Sequence, residues 1–274
     1  MTGERDRTMT IGFIGCGKMG EAILKGIAGS GDHPGIIVSR RDRAELERIR
    51  DTYGVAAGTN AEAAGCDTVF LAVKPQQYDA VIPEIRDAVR GDALLVYLAP
   101  GISPEQMAAK LQKSELKIIH LMPNTPCAVA AGVNAYACGK TVGRSDEEMF
   151  VALVSPCGTP VRVEEGQMNA VVGVSGSSPA YYYMMIDAVA KAGVRAGLKR
   201  SDAVRMAAQA MLGSAKMVLE SGRHPSQLRD DVCSPGGTTI EAVCALDMSG
   251  FEGIVMEAVE KCVRRSGEIS RQIT

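Results

Sequence analysis

The sequence lacks the features that would indicate a metal, nucleic-acid or membrane partner. Its three histidines are scattered, and its eight cysteines never form Cys-x-x-Cys, a common ligand spacing of zinc sites. The 30 basic and 32 acidic side chains form no long run of either sign that would follow a phosphate backbone or an anionic membrane. No stretch reaches the ~18 uninterrupted apolar residues of a membrane span. We therefore expect no metal, no nucleic acid and no membrane partner.

The cysteine content is compatible with a reducing compartment. A chain of 274 residues with 46% hydrophobic content can bury a core without disulfides. Most of the cysteines lie in apolar stretches, where a free thiol packs as a small hydrophobe. Residues 1–10 are polar and lack the apolar segment of a signal peptide, so we expect them to form a loose leader. The sequence predicts a cytoplasmic protein with reduced thiols.

The N-terminal part of the chain alternates short β-branched runs with helical patterns. Such alternation predicts an α/β domain, with a mainly parallel, doubly wound sheet covered by helices on both faces. Asp42 and Ser103 precede two of the helices, as N-cap residues do, and Gly54 follows the first of these helices. The predicted strands are 10–14, 36–39, 68–73, 94–97, 118–121, 133–137 and 161–163.

A polar break at Glu164-Glu165-Gly166 divides the chain into two predicted domains. The α/β domain comprises residues 1–165. Residues 166–274 show no convincing strand, and we expect an all-α domain there.

The helical domain is expected to self-associate. Ser178 and Pro179 predict the start of a helix that ends near Gly197, and a second helix is predicted from Ser201 to about residue 220. This second helix is apolar nearly all round, so one helical layer cannot bury it. A homo-oligomer would supply the missing surface. The alternative is a central helix that is surrounded by its own chain.

A glycine motif follows the first predicted strand and opens a helix. Gly15, Gly17 and Gly20 form G-x-G-x-x-G in the strand–turn–helix setting that this motif requires. Gly15 permits a tight turn, Gly17 lets the backbone approach a pyrophosphate, and Gly20 allows close helix–strand packing. The helix N-terminus offers unpaired N–H groups to an anion. We expect a Rossmann-type dinucleotide site here rather than a glycine-rich turn without a ligand. Its loop also contains Cys16, Lys18 and Met19.

The end of the second predicted strand favours NADPH over NADH. An NAD site normally has Asp or Glu at this point, but here the strand ends in Ser39, Arg40 and Arg41. A hydroxyl and two guanidinium groups can bind a 2′-phosphate that a carboxylate would repel. The alternative is that Arg40, Arg41 and Arg43 form the solvated start of the next helix.

Three loops at the carboxyl ends of later strands are predicted to lie along the cofactor, because open α/β sheets bind ligands at this edge. Lys74 is equally compatible with an ordinary surface position. Asn124 lies between two prolines and can present a donor and an acceptor to the nicotinamide carboxamide. The loop residues assigned to the cofactor are Ala72, Val73, Lys74, Pro75, Ala99, Pro100 and Asn124.

A second glycine-rich turn precedes a helix near the C-terminus. Gly236 and Gly237 expose N–H donors beside the positive end of the helix dipole, which suits a carboxylate. Ser234, Thr238 and Thr239 add hydroxyl groups. A plain N-cap with a flexible approach is the structural alternative. The residues alone thus indicate an NADP-dependent reductase of a small anionic substrate.

Several segments, taken together and in order, resemble the pyrroline-5-carboxylate reductase family over nearly the whole chain. They are GFIGCGKMGEAI, LAVKP, APGI, MPNTP, SGSSPAY, AAQAMLGSAKM and DDVCSPGGTTIEAV. The resemblance implies a Rossmann domain that binds NADPH, with NADH as the less favoured cofactor. It also implies a helical domain that forms dimers and, in many members, decamers. The implied reaction reduces the ring C=N of 1-pyrroline-5-carboxylate to L-proline, the last step of proline biosynthesis.

The resemblance also assigns residues. Ser234 and the backbone of Gly236, Gly237 and Thr238 match the site of the substrate carboxylate, and Thr239 matches a catalytic hydroxyl that bonds the ring nitrogen. In the first domain, Asn60, after a short third strand, matches a ribose contact, and Ser39, Arg40 and Arg41 match the 2′-phosphate site. The sequence departs from the family pattern at Pro100, where alanine is usual, and at Thr238, which replaces a small residue.

Two other functions are compatible with the domain plan. A β-hydroxyacid dehydrogenase shares it, but those enzymes resemble one another in a Gly-x-x-x-Lys-x-x-x-Asn helix. Here Gly176 is followed four residues later by Ala180. A nucleotide-sensing or scaffolding protein without chemistry would not need both glycine-rich loops.

Overall fold

The first part of the chain folds around one eight-stranded sheet. The computed structural model describes residues 9–29 and 35–273. The strands are β1 (Thr10–Ile14), β2 (Gly35–Ser39), β3 (Ala56–Ala57), β4 (Thr68–Leu71), β5 (Leu94–Tyr97), β6 (Lys117–Pro123), β7 (Gly132–Cys138) and β8 (Gly158–Arg162). Their order is β3-β2-β1-β4-β5-β6-β7-β8, and only the β6–β7 pair is antiparallel. The predicted mainly parallel sheet is confirmed.

Helices cover both faces of this sheet. They are α1 (Lys18–Ala28), α2 (Arg43–Tyr53), α3 (Asn60–Ala64), α4 (Tyr78–Ile85), α5 (Pro104–Leu111), α6 (Arg144–Val154) and the short α7 (Met168–Val171). The core on one face includes Ile23 of α1 and Phe150 of α6. The core on the other face includes Tyr78 of α4 and Met107 of α5. Because strand side chains alternate between faces, neighbouring β1 residues enter different cores, Phe13 the first and Ile14 the second.

The strand order places a topological switch at β1. This strand pairs with β2 on one side and with β4 on the other, both in parallel register. Connections from the two strands leave in opposite directions there, which opens a crevice at the carboxyl edge. The glycine motif, the end of β2 and the loop after β4 all lie at this edge.

Local signals predicted several boundaries correctly. Asp42 accepts a hydrogen bond from the Glu45 N–H at the start of α2, and Gly54 ends that helix with φ +66°. Ser103 and Gln106 form a reciprocal capping box at the start of α5. Several strand bounds differ from the prediction. β4 ends at Leu71, so residues 72 and 73 belong to the loop, and β8 runs from Gly158 to Arg162 instead of 161–163. β2 begins one residue earlier than predicted, and β6 and β7 are longer at both ends.

The rest of the chain is helical, and no strand follows β8 within residues 163–273. Its helices are α8 (Ser178–Arg195), α9 (Arg200–Ser221), α10 (Pro225–Asp231), α11 (Thr238–Met248) and α12 (Phe251–Ile273). The predicted all-α character is confirmed. In detail, Ser178 is the first residue of α8 rather than its cap, and α9 begins at Arg200 rather than at Ser201.

The chain forms two compact units. One contains the residues up to Gly176 together with those from Cys262 onward, and the other is Ser177–Lys261. The domain boundary between residues 165 and 166 stays a prediction. Of the predicted leader, residues 1–8 lie outside the described part of the chain, and Thr10 already begins β1. Within the described residues, no helix combines the length and apolarity needed to cross a bilayer.

Many large apolar side chains of the helical unit are exposed in the single chain. In α9, only Ala203 and Ala207 are buried. Leu212 and Leu219 of the same helix are 60% and 83% exposed. Tyr183 and Met184 of α8 are exposed as well. Large exposed apolar side chains concentrated on two helices are typical of an interaction surface.

Candidate cofactor and substrate sites

The glycine motif has the backbone geometry that dinucleotide binding requires. Gly15 has φ +76°, and a Cβ atom built on it would lie 2.0 Å from Val73 Cγ1. A Cβ on Gly20 would lie 3.0 Å from Ala72 Cβ, so α1 packs closely against the loop after β4. By contrast, the nearest atom to a Cβ on Gly17 is the Gly15 carbonyl oxygen at 3.9 Å. Of the three glycines of the motif, only Gly17 therefore has open space above it.

The N-terminus of α1 is open to an anion. Gly17 is the N-cap residue and has no side chain with which to cap the helix. The first N–H groups of an α-helix have no partner within it, and here they belong to Lys18, Met19 and Gly20. Together with the helix dipole, they form a site for a phosphate group.

Cys16 contributes packing and a carbonyl group rather than a reactive thiol. Its side chain is buried, and burial raises the pKa of the thiol to about 12. The thiol is neutral at physiological pH and therefore a poor nucleophile. Its carbonyl oxygen accepts a hydrogen bond of 2.6 Å from Arg40 Nη1. This contact ties the end of β2 to the glycine loop.

The end of β2 brings the predicted 2′-phosphate residues together. Ser39 is only 2% exposed, and its hydroxyl donates to Asn60 Oδ1 at 2.7 Å. Arg40 is half-buried and Arg41 is exposed. Sequence analysis missed Glu84 of α4, whose Oε2 accepts a hydrogen bond of 2.6 Å from Asn60 Nδ2. No motif surrounds Glu84, so only the fold reveals this contact.

Two of the three predicted cofactor loops follow neighbouring strands. The loop after β4 lies beside the glycine motif, and the other loop follows β5. The Ala72 N–H donates to the Ile14 carbonyl at 2.8 Å, which places residues 72 and 73 beside the end of β1. Lys74 is exposed and Pro75 is half-buried. Ala99 is buried and Pro100 half-buried, after β5, which pairs with β4. Their contacts with a cofactor stay predictions.

The side-chain amide of Asn124 has two hydrogen-bond partners within the protein. Its Nδ2 donates to the Ser175 carbonyl at 3.1 Å, and its Oδ1 accepts from the Val133 N–H at 2.9 Å. Both ends of the amide therefore bind the protein's own backbone. Ser175 belongs to a π-helical turn, Val172–Gly176, which the side chain of Asn124 anchors. This geometry supports a structural role, and a contact with the carboxamide stays a prediction.

The second glycine-rich turn, in the helical unit, also opens a helix. The Gly237 N–H donates to the Ser234 carbonyl at 2.9 Å, and Gly236 has φ +67°, so residues 234–237 form a β-turn with Pro235 and Gly236 at its centre. Gly237 is the N-cap residue of α11 and, like Gly17, has no capping side chain. Ser234 and Thr238 are exposed, and Thr239 is half-buried. The turn and the helix start thus present hydroxyl groups and free N–H groups together.

The described residues contain no group of three or more His, Cys, Asp or Glu side chains arranged to hold a metal ion. The free cysteines include Cys16, Cys66, Cys127, Cys138, Cys157, Cys233 and Cys244.

Comparisons with known proteins decide the family. A family model described as pyrroline-5-carboxylate reductase dimerisation matches residues 165–269, and one described as NADP oxidoreductase, coenzyme F420-dependent, matches residues 10–100. The pyrroline-5-carboxylate reductase of Escherichia coli is 43% identical over 265 residues, which cover 95% of this chain and 98% of that protein. The chain belongs to the pyrroline-5-carboxylate reductase family. The predicted family and enzyme class, an NAD(P)-dependent oxidoreductase, are confirmed, and the dimerisation domain supports self-association.

Solved pyrroline-5-carboxylate reductases have the same fold over the full length. The Coxiella burnetii enzyme is 32% identical with a TM-score of 0.88, and the Plasmodium falciparum enzyme, solved with NADP bound, is 30% identical with a TM-score of 0.85. Each comparison covers 96% of this chain and 98% of the other. A 3-hydroxyisobutyrate dehydrogenase of Mycobacterium tuberculosis, 16% identical with a TM-score of 0.52, shares the fold alone.

Proposed function

We propose that this pyrroline-5-carboxylate reductase family member reduces the ring C=N of 1-pyrroline-5-carboxylate to L-proline, the last step of proline biosynthesis, with NADPH as the preferred reductant. Family membership at 43% identity over nearly the whole chain carries the proposal. The two glycine-rich turns give it a physical basis, because each begins a helix whose first N–H groups are free for an anion.

The first unit is assigned to the cofactor. The open space above Gly17 and the free N–H groups of α1 fit a pyrophosphate, and a side chain at position 15 would fill the turn. Arg40 and Arg41 favour a 2′-phosphate through charge-assisted hydrogen bonds. When bound, the reduced nicotinamide supplies the hydride.

The turn at residues 234–237 and the start of α11 are assigned to the substrate. Ser234 and the backbone N–H groups of Gly236 and Thr238 bind the carboxylate. The N–H group of Gly237 donates to the Ser234 carbonyl, so Gly237 shapes the turn instead of binding the substrate. The Thr239 hydroxyl bonds the ring nitrogen and orients it. A threonine hydroxyl does not ionise near neutral pH, so Thr239 positions the nitrogen and relays solvent protons rather than supplying a proton from its own ionisation.

The assembly and the location are part of the same proposal. The exposed apolar side chains of α8 and α9 support a dimer, which assembles further into a decamer. The seven free thiols named above are compatible with a cytoplasmic location. No nucleic-acid partner is proposed.

The decisive experiment follows the absorbance of NADPH after racemic pyrroline-5-carboxylate is added to the purified protein. Parallel wells contain NADH in place of NADPH, or a 2-keto acid in place of the imine. Rapid oxidation with the imine and the faster rate with NADPH are expected. Oxidation with the keto acid alone would instead identify a hydroxyacid dehydrogenase, and no oxidation in any well would indicate a protein without chemistry.

Replacement of Thr239 tests the assigned catalytic hydroxyl. Thr239→Ala is expected to bind NADP⁺ as the parent protein does but to lose turnover by roughly a hundredfold, because the imine is no longer held in the reactive geometry. Thr239→Ser keeps the hydroxyl and should retain most of the turnover. Steady-state kinetics and a titration with NADP⁺ measure both properties. Unchanged turnover in Thr239→Ala would remove Thr239 from the mechanism.

A further inference from the structure

Three side chains from three elements form a chain of hydrogen bonds at the carboxyl end of β2. Ser39 Oγ donates to Asn60 Oδ1 at 2.7 Å, and Asn60 Nδ2 donates to Glu84 Oε2 at 2.6 Å. Ser39 ends β2, Asn60 begins α3, and Glu84 lies in the last turn of α4. The chain therefore runs from an exposed carboxylate to a hydroxyl that is 2% exposed.

The carboxylate determines the direction of every hydrogen bond in this chain. An ionised carboxylate only accepts, so the Asn60 amide must turn its NH₂ group towards Glu84. The amide oxygen then faces Ser39, and this oxygen also only accepts. Ser39 has one hydroxyl proton, and both oxygens near it, Asn60 Oδ1 at 2.7 Å and the Phe13 carbonyl at 3.3 Å, only accept, so the proton stays within the protein. Only the acceptor lone pairs of Ser39 remain for a ligand.

We infer that Glu84 is a cofactor-selectivity residue, which acts through Asn60 and Ser39 on the 2′ position of the adenosine ribose. The inference rests on the proposed dinucleotide site. A 2′-hydroxyl can donate a hydrogen bond to Ser39, whereas a 2′-phosphate has only acceptor oxygens at neutral pH and cannot. The negative charge of Glu84 opposes the phosphate as well. Compared with a neutral side chain at this position, Glu84 therefore shifts the relative affinity towards NADH.

Arg40 acts in the opposite direction. Its guanidinium group is held over the glycine loop by the Cys16 carbonyl, and its side chain is 25% exposed. A cation in this position attracts a 2′-phosphate but contributes little to a hydroxyl. The balance between Arg40 and Glu84 therefore sets the ratio of the affinities for NADP⁺ and NAD⁺.

Glu84→Gln tests the inference by isothermal titration with NADP⁺ and NAD⁺. Glutamine is neutral and can either donate or accept, so Asn60 is free to turn and Ser39 is free to donate to a phosphate. The Kd for NADP⁺ is expected to fall by roughly threefold to fivefold, as expected for one screened charge and one reoriented hydrogen bond. The Kd for NAD⁺ should stay the same or rise.

Two further variants separate charge from hydrogen-bond direction. Asp87→Asn removes the same charge three residues further along the chain, where the exposed side chain lies outside the hydrogen-bonded chain, and should change neither Kd. Ser39→Ala removes the acceptor and should weaken NAD⁺ more than NADP⁺. If Ser39 instead donated to the phosphate, Ser39→Ala would weaken NADP⁺ binding more than NAD⁺ binding.

The outcomes distinguish this inference from the proposed function. An unchanged ratio of affinities in Glu84→Gln, an equal effect of Asp87→Asn, or an equal or larger loss of NADP⁺ affinity in Ser39→Ala would each overturn the inference while the reductase assignment stands. If the parent protein binds neither dinucleotide, the proposed cofactor site fails as well. Thermal unfolding of each variant verifies that it folds. If Glu84→Gln does not fold, the Ser39→Ala titration still tests the inference.

Discussion

Gly15 and Gly17 are two residues apart, yet an added methyl group should lower the stability at the first position and weaken cofactor binding at the second. Gly15→Ala would force a Cβ into contact with Val73 at a positive φ, and we expect a loss of unfolding free energy of about 2 kcal/mol or more. Gly17→Ala meets no nearby atom, so its cost should stay below about 1 kcal/mol. Its methyl group would instead enter the space that we assign to the pyrophosphate.

Thermal unfolding and titration with NADP⁺ measure the two effects separately. Gly17→Ala should unfold close to the parent temperature but bind NADP⁺ at least about tenfold more weakly, which corresponds to about 1.4 kcal/mol. If Gly17→Ala binds NADP⁺ normally, the pyrophosphate does not lie above this residue. Full stability in Gly15→Ala would contradict the steric account of the turn.

At the scale of elements, α1 and α2 are joined by an ion pair in the first turn of α1, just after the glycine motif. Glu21 of α1 accepts two hydrogen bonds of 2.8 Å from Arg48 of α2 and one from the Tyr53 hydroxyl. The hydrogen bonds from Arg48 hold the pKa of Glu21 below its ordinary value. A lowered pKa in the folded state means that the pair stabilises the fold when Glu21 is ionised and loses this contribution as the pH falls through that pKa.

Glu21→Gln tests this pair by urea unfolding at two pH values. At pH 7 the variant should have a midpoint lower by about 0.3 M urea, a small effect because solvent screens a pair whose Arg48 side chain is 42% exposed. The difference should be complete above about pH 5, the upper edge of the ordinary glutamate titration, and should shrink towards pH 3. Glu148→Gln removes a more exposed i,i+4 pair with Arg144 on α6 and should change little at either pH. A pH-independent difference for Glu21→Gln would rule out the ionised pair as its cause.

At the scale of the whole molecule, self-association is expected to cover the apolar surface of the helical unit. Leu212 is 60% exposed in the single chain, on a helix that buries only two of its residues. A charge there would have to be buried in the assembly, which is costly without a partner. Leu212→Glu should therefore shift the protein towards the monomer mass of 28.9 kDa.

Light scattering coupled to size-exclusion chromatography measures this shift. Val129→Glu is the matched control, because Val129 is 74% exposed but lies in the first unit, and the variant should keep the mass of the parent. An unchanged mass for Leu212→Glu would place the interface elsewhere on the helical unit.

The sequence by itself determined the features that depend on residues close together in the chain. The glycine motif predicted a turn and an open helix start, Asp42 and Ser103 predicted helix starts, and β-branched runs predicted the parallel strands. Each of these signals lies within one element or at its border, where propensity, capping and periodicity act. The family motifs, which are also short segments of sequence, predicted the function.

Only the tertiary structure decided which distant side chains meet. The Asn60–Glu84 and Asn124–Ser175 hydrogen bonds join residues that are 24 and 51 positions apart. A third pair, between buried His120 and Glu165, spans 45 positions, and the histidine ring also stacks on Tyr97. No propensity or period encodes such contacts, because they arise when the order of the strands brings loops from different parts of the chain to one edge of the sheet. The direction of the Ser39 hydroxyl, and with it the inferred role of Glu84, therefore follows from the fold rather than from any motif.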